Sequence, residues 1–161
     1  MPDENYAQQI KEELGEGWLP SIYRERILKL RTRSYHFETL SARARISIQH
    51  TLLGVELKVG SRRLLCPDLA TARYLSVFAR AGCKDVAVPY DITKISRLAD
   101  ELESSWYRML LLIDREAEEK GEKFKTRLRG QLFANMRAEI EMAGRGAQFP
   151  EFETTTKQRR T

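Results

Sequence analysis

The chain has few of the residues that build covalent scaffolds or membrane spans. It has two cysteines among 161 residues, and two cysteines do not make a disulfide framework in a chain of this length. The longest run of apolar residues, Met109 to Ile113, has five members, whereas a membrane-spanning helix needs about 20. These shortages predict a reduced, cytoplasmic protein that does not enter a membrane.

Motifs for catalysis and for cofactor binding are lacking as well. The sequence has no glycine-rich phosphate loop, no G-x-G-x-x-G and no G-x-S-x-G. Cys66 and Cys83, with His36 and His50, show none of the paired spacings that are typical of zinc sites. We therefore expect no metal and no cofactor, and the sequence nominates no catalytic residue.

Positive charge is concentrated in one part of the chain. The net charge is +5, yet residues 1–19 have five acids and one lysine, whereas residues 20–63 have ten bases and three acids. Arginine binds phosphate and aromatic rings stack on bases, so residues 20–63 are a candidate nucleic-acid or anion surface. Its candidate contact residues are Arg24, Arg31, Arg33, Arg62 and Arg63. The alternative is a solvated basic face whose arginines pair with the acidic N-terminal segment.

The clearest pattern in the sequence is an apolar stripe that predicts one long helix. Its members recur at alternating spacings of three and four: Ile92, Ile95, Ala99, Leu102, Trp106, Met109 and Ile113. We expect that helix to run to about Lys120 and to break at Gly121, before a second striped helix over 122–143. Shorter helices are expected over 3–14 and 20–33, while residues 34–45 stay open between helix and loop.

Alternating apolar residues predict strands in the middle of the chain. Gly60-Ser61 is a two-residue turn, and the resulting hairpin pairs Val59 with Arg62 and Val55 with Cys66. A helix from Asp68 through Ala81 follows, and then a short strand at 86–88. We expect this strand–helix–strand segment to form a compact crossover.

The two ends of that crossover are a candidate ligand edge. If its two strands are parallel, Asp68 lies at the same edge of the sheet as Tyr90 and Asp91, beside two helix N-termini that can hold an anion. The alternative is that both aspartates only cap their helices.

Together these elements predict an α+β fold. We expect a small sheet, made of the β-hairpin plus one strand after a crossover helix, packed by helices and extended by a long C-terminal helical hairpin. Residues 1–143 form a single domain in this interpretation, and residues 144–161 form a disordered basic tail.

One segment supports a resemblance. Residues 65–106, LCPDLATARYLSVFARAGCKDVAVPYDITKISRLADELESSW, resemble small uncharacterised conserved proteins of cyanobacteria. The resemblance covers about a quarter of the chain and contains no catalytic motif. It implies a soluble bacterial protein and transfers no functional residue.

These patterns favour a non-enzymatic protein-interaction, assembly or regulatory protein that uses the helical hairpin and its charged surface. Its expected partner is therefore a protein, and a homodimer stays open. The first alternative is nucleic-acid binding through residues 20–63. The second is a small enzyme or anion site at the helix N-termini near Asp68 and Asp91.

Overall fold

The computed structural model describes residues 2–37 and 45–145. Its helices are α1 (Pro2–Leu14), α2 (Leu19–Ile22, continued by a π-helical turn over Tyr23–Ile27), α3 (Leu69–Ala81), α4 (Ile92–Ala117) and α5 (Glu122–Ala143). Its strands are β1 (Thr32–His36), β2 (Ile46–Thr51), β3 (Gly54–Val59), β4 (Arg62–Cys66) and β5 (Asp85–Pro89). The expected α+β class is confirmed. The expected tail lies almost entirely outside the described residues.

The described strands form two antiparallel sheets. One sheet has three strands in the order β2-β3-β4, and the other pairs β1 with β5. The hairpin register is the predicted one, with Val59 opposite Arg62 and Val55 opposite Cys66. This register follows from the two-residue turn, whose Gly60 has a φ of 63° that other residues rarely adopt.

The strand after α3 forms but does not join the hairpin, so the prediction of a compact crossover is wrong. β5 pairs antiparallel with β1, with Ser34 opposite Ala87. β1 takes the end of the segment expected as a helix over 20–33 and the first residues of the open segment 34–45. The helical turn ends at Ile27, and the chain is strand from Thr32 onward because its backbone there pairs with β5, about 50 residues away in the sequence.

α3 lies at the centre of the molecule, against β2 and β3 on one side and α4 on the other. Its Tyr74 and Phe78 are fully buried. Both predicted ends are confirmed, since the Asp68 carboxylate accepts a hydrogen bond from the Thr71 N–H at 2.7 Å and Gly82 is left-handed with a φ of 85°. In the sequence, α3 therefore lies between β4 of the three-stranded sheet and β5 of the two-stranded sheet.

The C-terminal helical hairpin is confirmed, and its stripe is core. Six of the seven stripe residues are buried, and Ile92 alone among them is exposed. α1 packs across both helices, with the Tyr6 ring 5.1 Å from that of Phe124 and the Arg115 guanidinium 2.7 Å from the Glu13 carboxylate. None of the helices in the described ranges is long and apolar enough to cross a membrane.

Candidate interaction site

Two strands from different sheets face each other across a cleft. β1 and β4 line the same two cavities, yet their Cα atoms lie mostly more than 8 Å apart, whereas paired strands are about 4.8 Å apart. Within residues 2–37 and 45–145, each of the two strands is paired on one side only. We name this gap between residues 33–37 and 62–66 the β1–β4 cleft.

The cleft consists of two adjoining cavities of about 280 and 320 Å³ that share Tyr35 and Leu64 as lining residues. The first cavity lies between His36–Phe37 and Arg62–Arg63, and the second between Arg33–Ser34 and Leu65–Cys66. The start of β1 is thus close to the end of β4, so the two strands run antiparallel to each other across the gap.

Apolar and basic side chains line different parts of this cleft. Leu57 and Val59 in the first cavity and Leu75 and Val88 in the second are buried. Three arginines, Arg33, Arg62 and Arg63, are exposed along it. The arrangement is an apolar floor with a positively charged rim.

The outward backbone groups of β1 follow from its pairing with β5. The Phe37 N–H donates to the Lys84 carbonyl at 2.8 Å, and the Tyr90 N–H donates to the Arg31 carbonyl at 3.1 Å. Hydrogen-bonded positions alternate in an antiparallel pair. Odd-numbered residues of β1 therefore bond to β5, and the backbone N–H and C=O groups of Ser34 and His36 point into the cleft.

The same alternation applies to β4. Val59 and Arg62 close the two-residue turn and so form a hydrogen-bonded pair. Leu64 and Cys66 then also bond to β3, and the backbone groups of Arg63 and Leu65 point into the cleft. Within the described ranges, the backbone groups of Ser34, His36, Arg63 and Leu65 that face the cleft have no hydrogen-bond partner.

The edge of β5 that faces away from β1 is closed by two tyrosine side chains. The Ala87 N–H donates to the Tyr23 hydroxyl at 2.9 Å, and the Ala87 carbonyl accepts from the Tyr74 hydroxyl at 2.6 Å. Both tyrosines are fully buried. Side chains thus block strand addition at this edge, whereas the two edges that face the cleft offer their groups to another chain.

The predicted basic residues divide between the cleft and another surface. Arg33, Arg62 and Arg63 line the cleft. Arg24 does not, since it lies 3.5 Å from the Glu139 carboxylate on α5. The guanidinium carbon of Arg31 lies 4.9 Å from the centroid of the Tyr90 ring, and the guanidinium carbon of Arg33 lies 5.7 Å from the same centroid. The structure therefore groups four of the five arginines around the cleft and Tyr90.

The predicted ligand edge is not formed by two parallel strands. β4 and β5 belong to different sheets, so the condition for that edge fails. Both aspartates act as helix caps: Asp68 accepts from Thr71, and Asp91 accepts from the N–H and the hydroxyl of Thr93 at 3.0 and 2.7 Å. The Thr93 hydrogen bonds lower the pKa of the Asp91 carboxyl. Tyr90, the third residue of the predicted edge, lies against the guanidinium groups of Arg31 and Arg33.

The two thiols are poor nucleophiles. Both cysteines are buried, and burial raises the pKa of Cys66 and raises that of Cys83 to about 12. Each is therefore a neutral thiol at pH 7. Among the described residues, no group of three histidine, cysteine, aspartate or glutamate side chains is placed to hold a metal ion.

Part of the charged tip of the helical hairpin is engaged within the molecule. Lys125 lies 2.7 Å from the Asp114 carboxylate, and the Lys120 ammonium lies 4.7 Å from the centroid of the Tyr6 ring. Lys120 ties one side of the tip to α1, whereas Glu118 and Glu119 are exposed.

The sequence interpretation missed the backbone part of the site. Ser34, His36 and Leu65 contribute groups that no side-chain motif reveals, because the cleft exists only once β1 is paired with β5. The aromatic and β-branched content of residues 32–37 was the one local signal for β1. No protein-family model, curated protein or solved structure matches the chain.

Proposed function

We propose that this chain is a non-enzymatic protein-interaction module that binds an extended, acidic peptide segment of a partner protein by strand addition in the β1–β4 cleft. The observation that carries the proposal is the pair of facing strand edges over one apolar floor. An extended peptide uses the same backbone groups that such edges offer, and its alternate side chains fill pockets below.

Backbone complementarity supports a peptide as the ligand. Ser34 and His36 offer donors and acceptors from one side, and Arg63 and Leu65 offer them from the other. Because β1 and β4 run antiparallel to each other, an inserted strand is parallel to one and antiparallel to the other. It would join the two sheets into one six-stranded sheet.

Charge supports an acidic sequence for that peptide. Arg63 and Lys58, which lie directly across from each other in the hairpin, share its solvent face, whereas Arg62 lies on the face of Leu57 and Leu64, at the end of the floor. Carboxylates on the solvent side of the inserted strand would lie near Arg63 and Lys58. Such complementarity raises the association rate and selects against basic peptides.

Nucleic acid is the second candidate ligand, favoured by the grouping of Arg31, Arg33, Arg62 and Arg63. A nucleic acid does not match the alternating donors and acceptors of two facing strand edges, however, whereas an extended peptide does. The Tyr90 ring, which could stack on a base, already has two guanidinium groups against it. A peptide therefore matches more features of the cleft than a nucleic acid does.

A binding experiment tests the proposal with a labelled peptide of about ten residues that alternates glutamate with valine. The comparison ligands are the same peptide with lysine for glutamate and a single-stranded oligonucleotide. We expect the acidic peptide to bind and the lysine peptide to fail. Binding of the oligonucleotide alone, with a steep loss as salt rises, would instead establish the nucleic-acid function.

Proline variants locate the binding at the strand edges. Leu65→Pro removes an N–H that points into the cleft, and His50→Pro is its matched control, because His50 points away from β3 at the far edge of β2. We expect Leu65→Pro to weaken peptide binding about tenfold, equivalent to roughly 1.4 kcal/mol, and His50→Pro to leave it unchanged. Arg63→Glu, which keeps the backbone, should also weaken binding. Equal affinity in all three variants contradicts strand addition here.

A further inference from the structure

The three-stranded sheet has a second open edge, at β2, on the side away from the cleft. Among the residues that the structure describes, β2 pairs with β3 alone. The Gly60 N–H donates to the Arg45 carbonyl at 2.9 Å, and hydrogen-bonded positions alternate in an antiparallel pair. Odd-numbered residues of β2 therefore bond to β3, and the backbone N–H and C=O groups of Ile46, Ile48 and His50 point outward.

The sequence of β2 lacks the residues that keep other chains away from a sheet edge. Edge strands are usually protected by charged side chains or by proline. β2 reads Ile-Ser-Ile-Gln-His-Thr and has no lysine, arginine, aspartate, glutamate or proline. The strands at the cleft do have such charges, Arg33 in β1 and Arg62 and Arg63 in β4. Pairing of β1 or β4 with its own copy would bring arginines together, whereas pairing of β2 with its own copy would not.

Two isoleucines of β2 are incompletely covered within one chain. Ile46 lies opposite the buried Val59, and Ile48 lies opposite the buried Leu57. Both isoleucines pack against the core but stay partly exposed at the edge of the sheet. A strand added beside them would remove this apolar surface from water, which is favourable.

We propose that two copies of this chain dimerise by antiparallel pairing of their β2 strands, with Ile48 opposite Ile48 of the second copy. In this register Ile46 of each copy pairs with His50 of the other, so all three outward residues form hydrogen-bonded pairs. A two-fold axis through the Ile48 pair makes the contact self-complementary. The product is a continuous sheet of six strands, three from each copy, with the isoleucines of both copies on one apolar face.

The dimer leaves the cleft of each copy open. β4 is at the opposite side of the three-stranded sheet from β2, so the two clefts lie at the two ends of the joined sheet. The inference therefore does not depend on the ligand proposed for the cleft. A partner with two binding segments that reach both clefts would bind the dimer more tightly than a single chain, because the second segment binds at a high effective concentration.

Substitutions at position 48 test the dimer, because the proposed two-fold axis passes through this residue. Ile48→Lys places two positive charges opposite each other, and Ile48→Glu places two negative charges there. We expect each variant to weaken dimerisation at least about tenfold. Gln9→Lys adds one positive charge at an exposed position of α1 and should dimerise as the parent protein does. Sedimentation of the full chain over about a hundredfold range of concentration measures the molecular mass.

Mixing the two charge variants separates loss of the interface from loss of the fold. An equimolar mixture of Ile48→Lys and Ile48→Glu places opposite charges at the axis and should form a dimer that neither variant forms alone. His50→Pro removes an outward N–H and should also give monomers, whereas Leu65→Pro, at the β4 edge, should dimerise like the parent protein.

Three results overturn the inference. The first is a parent protein that stays monomeric over the whole range of concentration. The second is a dimer that forms equally well in His50→Pro and Leu65→Pro. The third is an Ile48→Lys and Ile48→Glu mixture that sediments as the separate variants do.

Discussion

The Tyr23 hydroxyl joins two distant parts of the backbone, because it accepts the N–H of Ala87 at 2.9 Å and donates to the carbonyl of Gly144 at 2.7 Å. This one group closes the outer edge of β5 and fixes the end of α5. We expect Tyr23→Phe to lower the free energy of unfolding by about 2 kcal/mol, since the Ala87 N–H is left buried without a partner.

Urea denaturation measures that loss. Tyr107→Phe is the matched control, because Tyr107 is 56% exposed on α4 and its variant should stay within about 0.5 kcal/mol of the parent protein. Equal, small effects in the two variants contradict the role assigned to the Tyr23 hydroxyl.

Alkaline pH should remove the stability that the Tyr23 hydroxyl contributes. Burial raises the pKa of Tyr23 to about 12 from a usual value of 10.0. A group whose pKa is higher in the folded state stabilises fully below its unfolded pKa and loses that effect as the pH rises toward the folded value. We therefore expect the stability difference between the parent protein and Tyr23→Phe to shrink between pH 10 and about 12. Unfolding measured across that range checks this. A constant difference contradicts it.

Acidic pH should weaken the contact between α1 and α5. Partial burial opposes ionisation of Glu139, but hydrogen bonds from Lys11 and from the indole of Trp18 bring the pKa of its carboxyl below the usual 4.5. A lowered pKa stabilises above the unfolded value, and the effect is lost as the pH falls through the folded one. Glu139→Gln should therefore be less stable than the parent protein at pH 7, by about 1 kcal/mol, and equal to it once Glu139 is protonated. Thermal unfolding from pH 7 to pH 3 tests this, and a gap that persists at low pH is the contrary result.

The Asp68 cap of α3 should contribute to the stability of the fold and not to peptide binding. Asp68→Ala removes the acceptor for the Thr71 N–H and should cost about 1 kcal/mol, whereas Asp68→Asn keeps a capping oxygen and should cost little. Both variants should bind the glutamate–valine peptide as tightly as the parent protein does. Loss of binding in a stable Asp68→Asn protein would restore the ligand edge suggested by the sequence.

Local patterns of the sequence were enough for most elements of the fold. The hairpin register, both ends of α3 and the break at Gly121 follow from turn residues, caps and apolar spacing within a few residues of each other. The pairing of β1 with β5 does not, because it joins residues about 50 positions apart, and nothing near Ser34 identifies Ala87 as its neighbour. For the candidate site, four of the five arginines named from the sequence lie around the cleft and Tyr90, and Arg24 lies by Glu139 instead. The sequence could not supply the backbone groups of Ser34 and Leu65, whose direction depends on that pairing.

The position of α3 has a consequence for the energetics of the cleft. β4 leads directly into this helix and β5 follows it, so the two sheets are attached to opposite ends of one rigid, buried element. Closing the gap between β1 and β4 would require the sheets to move relative to α3, which packs against β2, β3 and α4 and whose Thr71 and Leu75 line the second cavity. The cleft is therefore preorganised: a strand that enters it need not open it first, and little of its binding free energy is lost to reorganisation of the protein.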